Sequence, residues 1–263
     1  MNYKLVVVLC LALAILAQCT VFAQTNELTK YIQPPKMDLS YSFSSELKTN
    51  LVMADDWVCP DGNPILGIKW WGSYWTPMAG PTYTAYSDSR ANAPSGGIQS
   101  FTIQIYDNIP IDDPGNTLGF SYPGALLASY TIEGSCNETY YGQVVKTTNP
   151  DGSPKLYEDI YEYSVDLTAT QTGAFNQERG KTYWLMIIAN VPDTSKQWGW
   201  HDSAPNWGKN AIQTTVGGED FYIPCTGHDL AFELTAVPEP GSILALGTGL
   251  TGLVGLVLRR KRT

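Results

Sequence analysis

Between residues 50 and 236 apolar side chains recur at every second position, and no window there sustains a helical period. Period two puts one row of side chains on each face of a sheet, so this region is confined to strands. Ser100 to Asp107 alternates Phe101, Ile103 and Ile105 with Thr102, Gln104 and Tyr106. Leu156 to Leu167 sets Tyr157, Asp159, Tyr161, Tyr163, Val165 and Leu167 on one face and Glu158, Glu162, Ser164 and Asp166 on the other. Ile65 to Gly72 reads as a strand with Leu66, Ile68 and Trp70 inward, and His228 to Thr235 as one with Leu230, Phe232 and Leu234 inward. Tyr183 to Ala189 is apolar on both faces, which predicts a central strand. Asp61-Gly62-Asn63-Pro64, Asp112-Asp113-Pro114-Gly115-Asn116 and Asn149-Pro150-Asp151-Gly152 separate the runs with turn chemistry. The expected fold is all-β: a single β-sandwich, jelly-roll-like, with a closed barrel as runner-up. It spans residues 50–236, and residues 24–49, which include Pro34-Pro35, read as an extended lead-in.

Both chain ends read as targeting segments. Lys4, the apolar stretch from Leu5 to Ala17 and Val21-Phe22-Ala23 form a secretory signal peptide over residues 1–23. Cys19 is no lipidation site, because Gln18 stands where a small residue is required. At the other end Val237-Pro238-Glu239-Pro240-Gly241-Ser242 precedes an uncharged run from Ile243 to Leu258, then Arg259, Arg260, Lys261 and Arg262. As a helix the run reaches about 24 Å, short for a permanent anchor but sufficient for a transient transmembrane stop. The four cations keep to the cytoplasmic side, so the domain lies outside, anchored in the membrane through the helix before processing. Pro238 and Pro240 keep the motif extended and accessible beside the membrane. This tail, residues 237–263, resembles the PEP-CTERM signal of bacterial surface proteins. The resemblance implies processing at Pro238, Glu239 and Pro240 by an exosortase-type sorting enzyme, and a destination at the cell surface or in an exopolysaccharide-containing extracellular matrix.

The whole chain carries a net charge of −9, and removing five terminal cations and Glu239 takes the region between to about −13. Such a surface repels nucleic acid and anionic lipid. Cys59, Cys136 and Cys225 remain after processing and allow three pairings. Strand placement favours Cys59 with Cys225, with Cys136 as the competitor.

Ala54-Asp55-Asp56-Trp57-Val58-Cys59, Ile68-Lys69-Trp70-Trp71-Gly72, Phe175-Asn176-Gln177, Trp198-Gly199-Trp200-His201 and Asp229-Leu230-Ala231-Phe232 follow in that order. The order resembles an uncharacterised extracellular β-sandwich domain of bacterial surface proteins, which carries no assigned activity. Neither a Gly-x-Ser-x-Gly nor a His-Glu-x-x-His motif occurs. His201 with Asp202, and the carboxylate pairs Asp55-Asp56 and Glu158-Asp159, are acid/base candidates by residue type alone. Trp57, Trp70 and Trp184 read as core. Trp198, Trp200 and Trp207 lie in a Gly/Pro/Asn-rich stretch read as loop, where the rings serve as glycan contacts or fold back over one end of the sandwich. Asp107, Asp112, Asp113 and Asn116 crowd another loop and are weak candidates for a structural Ca²⁺. The reading that follows is a non-catalytic, exported surface protein. A carbohydrate-binding module is the alternative, and a secreted glycoside hydrolase a distant third.

Overall fold

The computed structural model describes residues 28–75, 98–134, 136–152, 154–192, 196–204, 208–216 and 222–236. The stretch read as a signal peptide and the tail from residue 237 lie outside them. Among the described residues thirteen strands follow in chain order. They are β1 (Leu28–Gln33), β2 (Ser42–Ser44), β3 (Leu51–Val58), β4 (Gly67–Trp75), β5 (Ser100–Ile109), β6 (Tyr122–Glu133), β7 (Thr139–Thr148), β8 (Pro154–Asp166), β9 (Thr182–Asn190), β10 (Gln197–His201), β11 (Ile212–Thr215), β12 (Tyr222–Pro224) and β13 (Phe232–Ala236).

Two antiparallel sheets pack face to face as a sandwich. One sheet orders β12-β11-β3-β9-β5-β6. In the other, β8 and then β7 lie on one side of β4, while β13 and β10 share its other side in tandem. β13 pairs with β4 from Phe232↔Trp70 to Thr235↔Gly67, and β10 takes over from Trp200↔Gly72 to Gln197↔Trp75. β1 lies outside β13, and β2 outside β10. Residues 28–33 and 42–44, inside the stretch read as a lead-in, thus belong to the sandwich.

The alternation read from sequence is the alternation of burial. Phe101, Ile103 and Ile105 enter the shared core while Thr102, Gln104 and Tyr106 face away. β9 is buried on both faces as its composition requires. Leu185, Ile187 and Ala189 join the core between the sheets, and Trp184, Met186 and Ile188 pack with Val52, Ala54 and Ile212 on the outer side. One detail differs at β4: the strand starts at Gly67, and Ile65 is the buried residue there, held by a bridge to Phe175, while Leu66 is half-buried.

The Trp198–Trp200 segment is a correction. It is not a loop but the interior strand β10, hydrogen-bonded to β4 on one edge and β2 on the other. Trp198 and Trp200 are fully buried, so neither offers a face to a glycan. Trp198 stands edge-on to Phe101 at 5.3 Å and donates Nε1–H to Tyr163 Oη at 3.2 Å. Trp200 donates to the Ala231 carbonyl at 2.8 Å and packs against Phe232. Two glycines make this seating work. A Cβ on Gly72 would sit 2.3 Å from the Trp198 ring, and one on Gly199 would sit 2.4 Å from the Trp75 ring. Trp71 is also buried, and of the described tryptophans Trp75 alone keeps a partly exposed face. Trp207 lies outside the described residues.

Residues 34–41 run across the outer side of the β4 sheet. Lys36 N–H donates to Asp202 O at 3.0 Å and Leu39 N–H to Val145 O at 3.1 Å. Trp71, Val144, Ile160 and Ala231 form a small cluster on that side, with Tyr141 edge-on to Trp71 at 5.6 Å.

Since Trp200 fills the core, Trp200→Ala should cost about 3–5 kcal/mol of stability. Urea or thermal unfolding of the purified chain measures this, and a near-unchanged midpoint would contradict the placement of the ring.

Candidate functional site

The groups best suited to chemistry are gathered at two buried nodes. The first joins β3 to the approach of β13. Asp55 is fully buried and accepts Leu230 N–H on Oδ2 at 2.5 Å and Asp56 N–H on Oδ1 at 2.9 Å. Asp56 accepts Lys209 N–H at 2.7 Å. Gln33 donates to the Asp56 carbonyl at 3.3 Å and to Tyr31 Oη at 2.9 Å. Burial first, then the charges of Asp229 and Asp56, hold the Asp55 carboxyl well above the usual carboxylate range. Burial likewise pushes Asp56 up to about 6, against the lowering effect of the Lys209 amide and ammonium. These carboxyls work as tie points for backbone amides, at the expense of desolvation.

The second node lies on the outer side of the β4 sheet. His201 Nδ1 is 3.2 Å from Ser42 Oγ and 3.5 Å from Glu158 Oε1, and Ser42 Oγ also donates to Glu158. Nε2 sits 2.9 Å from the Lys36 carbonyl. A serine, a histidine and a glutamate therefore meet, but both side-chain partners share one ring nitrogen and a backbone carbonyl occupies the other. A general base needs a ring nitrogen within reach of the proton it takes, and this ring has none to spare. The ring is fully buried and Glu158 is 2 % exposed.

Asp202 does not form the pair with His201 that their adjacency suggests. Its Oδ1 accepts Tyr41 N–H at 2.8 Å and its Oδ2 lies 3.4 Å from His228 Nδ1. Burial raises its carboxyl too. Consecutive residues of an extended segment point to opposite sides, which also parts Glu158 from Asp159. Asp159 accepts from Gln143 at 2.8 Å.

The calcium candidates do not converge. Asp107 pairs with Lys181 at 3.0 Å, and its other oxygen accepts Asn108 N–H at 2.8 Å. Asp113 accepts Gly115 N–H at 2.7 Å, and the Asn116 amide donates to the Pro110 and Phe120 carbonyls, both at 2.8 Å. Asp112 is exposed and joins no such set. The crowding of Asp, Asn and Gly is turn chemistry. Among the described residues no group of three or more His, Cys, Asp or Glu side chains is placed to hold a metal ion.

The expected Cys59–Cys225 disulfide is absent, and Cys59, Cys136 and Cys225 are all free thiols. Cys59 lies just beyond Val58 at the end of β3, with its N–H on Lys181 O. Cys225 bonds to Ala211, which the register places level with Asp55, two strands away. Two strand spacings plus four residues of rise separate the pair by about 15 Å, well past bridging distance. Burial pushes the Cys136 thiol up to about 12 and Cys225 up to about 11, so both stay protonated.

The accessible feature is elsewhere. A cleft of about 980 Å³ opens between the edge strand β6 and the last residues of β8, where β7 no longer pairs. Tyr130, Ile132, Cys136 and Val165 are among its lining residues, with Glu133 and Asn137 toward one end and Thr170 and Thr172 toward the other. Sequence reading did not reach the cleft, because its two walls are brought together only by sheet packing.

The described residues thus form an all-β module: two antiparallel sheets packed as a sandwich, with buried polar nodes and an open polar cleft. The model of a family described as a domain of unknown function, DUF7901, matches residues 29–235, and the chain belongs to that family. Residues 236–262 match the PEP-CTERM protein-sorting motif, which marks the chain for export and membrane-anchored sorting by an exosortase. No curated protein and no solved structure gives a significant match. Among the described residues no helix is long and apolar enough to cross a membrane, and the apolar run of the tail lies outside them.

The buried carboxyls have a pH signature. A carboxyl raised by folding contributes stability that is full below its ordinary pKa near 4 and is lost as pH rises through the folded value, about 6 for Asp56. The chain should therefore be more stable at pH 5 than at pH 7.5, by about 1.4 kcal/mol from Asp56 alone. Asp56→Asn should flatten that dependence, and a slope of the same size in the variant would assign it to other groups.

Proposed function

We propose that this exported, exosortase-sorted protein is a non-catalytic component of the cell surface or extracellular matrix, associated there with exopolysaccharide. The observation that carries the reading is the sealing of its reactive groups. His201, Glu158, Asp55, Asp56 and Asp202 are each at most 2 % exposed, and each is tied into the fold. Groups committed to holding strands and the 34–41 segment in place are poor candidates for turnover, and what remains for function is surface. The acidic balance of the region between the targeting segments suits a soluble module among uncharged polymers rather than one bound to anionic lipid or nucleic acid.

Replacing Pro238, Glu239 and Pro240 together by alanine should leave a full-mass precursor in the membrane fraction, while the wild-type chain leaves it in processed form. Mass spectrometry and fractionation of the producing cells read this directly, and an identical final mass and location in the variant would refute the sorting role of the motif. The exported protein should co-sediment with the extracellular polysaccharide of those cells. Release of new reducing ends from that polysaccharide by the purified chain would overturn the non-catalytic assignment.

A further inference from the structure

We infer that the cleft between β6 and β8 binds an uncharged glycan chain, with Tyr130 at its floor and Asn137 at its rim meeting sugar hydroxyls. The inference deepens the exopolysaccharide reading and rests on it.

The argument starts from the lining. Ser129, Thr131, Ser164, Thr170, Gln171 and Thr172 supply hydroxyl and amide groups. Glu133 and Asp166 are the charged residues of the lining, and no Lys, Arg or His accompanies them. Such a wall attracts polyhydroxyl ligands, which accept and donate hydrogen bonds without carrying charge. It repels uronates, phosphates and other anions. A volume of about 980 Å³ lies at the upper end of small-ligand sites, about 300–1,000 Å³, and the cleft opens to solvent, so a longer chain can extend beyond it.

Two side chains of the lining stand out. Tyr130 is 2 % exposed and its hydroxyl is buried without a protein partner. Burial raises its pKa, so the group is a neutral donor. Buried polar groups are nearly always paired, and this orphan, closed to solvent behind the cleft wall, would gain its partner when a small turn of the ring brings it to a ligand hydroxyl. Asn137 is exposed and held at φ 54°, next to Cys136 at φ 49°. Its Nδ2 lies 3.5 Å from both the carbonyl and the hydroxyl of Ser164, at the outer limit of a hydrogen bond, so the amide is free to turn to a better acceptor. Two successive left-handed non-glycine residues are costly, and such conformations cluster at ligand-binding positions.

The main rival occupant is an extended peptide adding to the edge of β6. The edge is poorly made for it. Thr172 Oγ1 already donates to the Ser129 carbonyl at 3.2 Å, and the half of β6 that holds Pro123 pairs with β5 through two register shifts. An added strand would find a regular ladder over only the last few residues of β6.

The test uses the full chain in a non-glycosidic detergent, titrated calorimetrically with gluco-, manno- and chito-hexasaccharides and with an oligogalacturonate of equal length. At least one uncharged hexasaccharide should bind, and the uronate should not. Tyr130→Phe removes only the orphan hydroxyl, and Asn137→Gly removes the amide while keeping a residue at ease at positive φ. Each should weaken binding about fivefold or more with the melting temperature unchanged or raised. Absence of binding to every uncharged hexasaccharide, preference for the uronate, or wild-type affinity in both variants would overturn the assignment. A dimer that dissociates in these variants would instead make a second copy the occupant of the edge. Co-sedimentation with the extracellular polysaccharide separates the two readings. If it persists in both variants, the cleft is wrong and the association stands. If the wild-type chain binds hexasaccharide yet does not co-sediment, the association is wrong.

Discussion

The seat of Trp198 on Gly72 is the contact on which the rest of the sandwich depends. A side chain at position 72 would occupy the space of the indole, so only glycine lets β10 lie against β4 with its ring pointing into the core. Once there, Trp198 touches Phe101 from the opposite sheet and bonds to Tyr163, which stacks on Trp70 at 5.7 Å. Tyr163 in turn donates to Glu138 at 2.9 Å, which lies in the crossing from β6 to β7. One close approach of ring to backbone thus links β4, β5, β8 and β10 and the connection between the two sheets. Because β10 and β13 share one side of β4, the same register also sets where the end of the domain can dock.

How much of this was legible in the sequence follows from where each signal resides. β5 and β9 were readable because their partners bury the faces that their composition marks. β10 was not, because Trp-Gly-Trp looks like a loop when glycine is taken as a break. Gly199 is here a flat place over which Trp75 lies, and only the paired strands show that. The lead-in was misjudged for a related reason: β1 is half-exposed at the edge of its sheet and carries little alternation. The Asp107–Asn116 stretch shows the limit of residue types, since the same Asp and Asn build a turn or a cation site depending on where their oxygens aim. The cleft was beyond reach altogether. Tyr130 and Ser164 are far apart in the chain, and nothing in either local pattern says that their strands face one another across an opening.

The distribution of charge is unusual in one respect. An acidic protein would be expected to keep its carboxylates in water, yet Asp55, Asp56, Asp202 and Asp229 are nearly buried. Burying a carboxylate is costly unless it is hydrogen-bonded, and backbone amides of Asp56, Leu230, Lys209 and Tyr41 meet three of them. These bonds fix the chain where ladder bonds are few: β13 has five residues, and the 34–41 segment has a single bridge, Pro35 with Ser203, and scattered backbone bonds. The carboxyls act as pins for irregular backbone, and the raised proton affinity is the consequence of placing them there.

The same economy bears on function. A histidine next to a serine and a glutamate invites a catalytic reading, but the ring is fully buried and its contact with the Lys36 carbonyl holds the covering segment to the sheet. The cleft has a different character: an exposed amide with weak internal bonds at Asn137, an unpaired buried hydroxyl at Tyr130, and further hydroxyl and amide groups beside Glu133 and Asp166. The binding role proposed above draws on this division: His201 and its carboxyl neighbours are buried, while hydroxyl and amide groups line the cleft. That division, more than any single residue, supports a binding role for an exported module delivered to the envelope by its sorting tail.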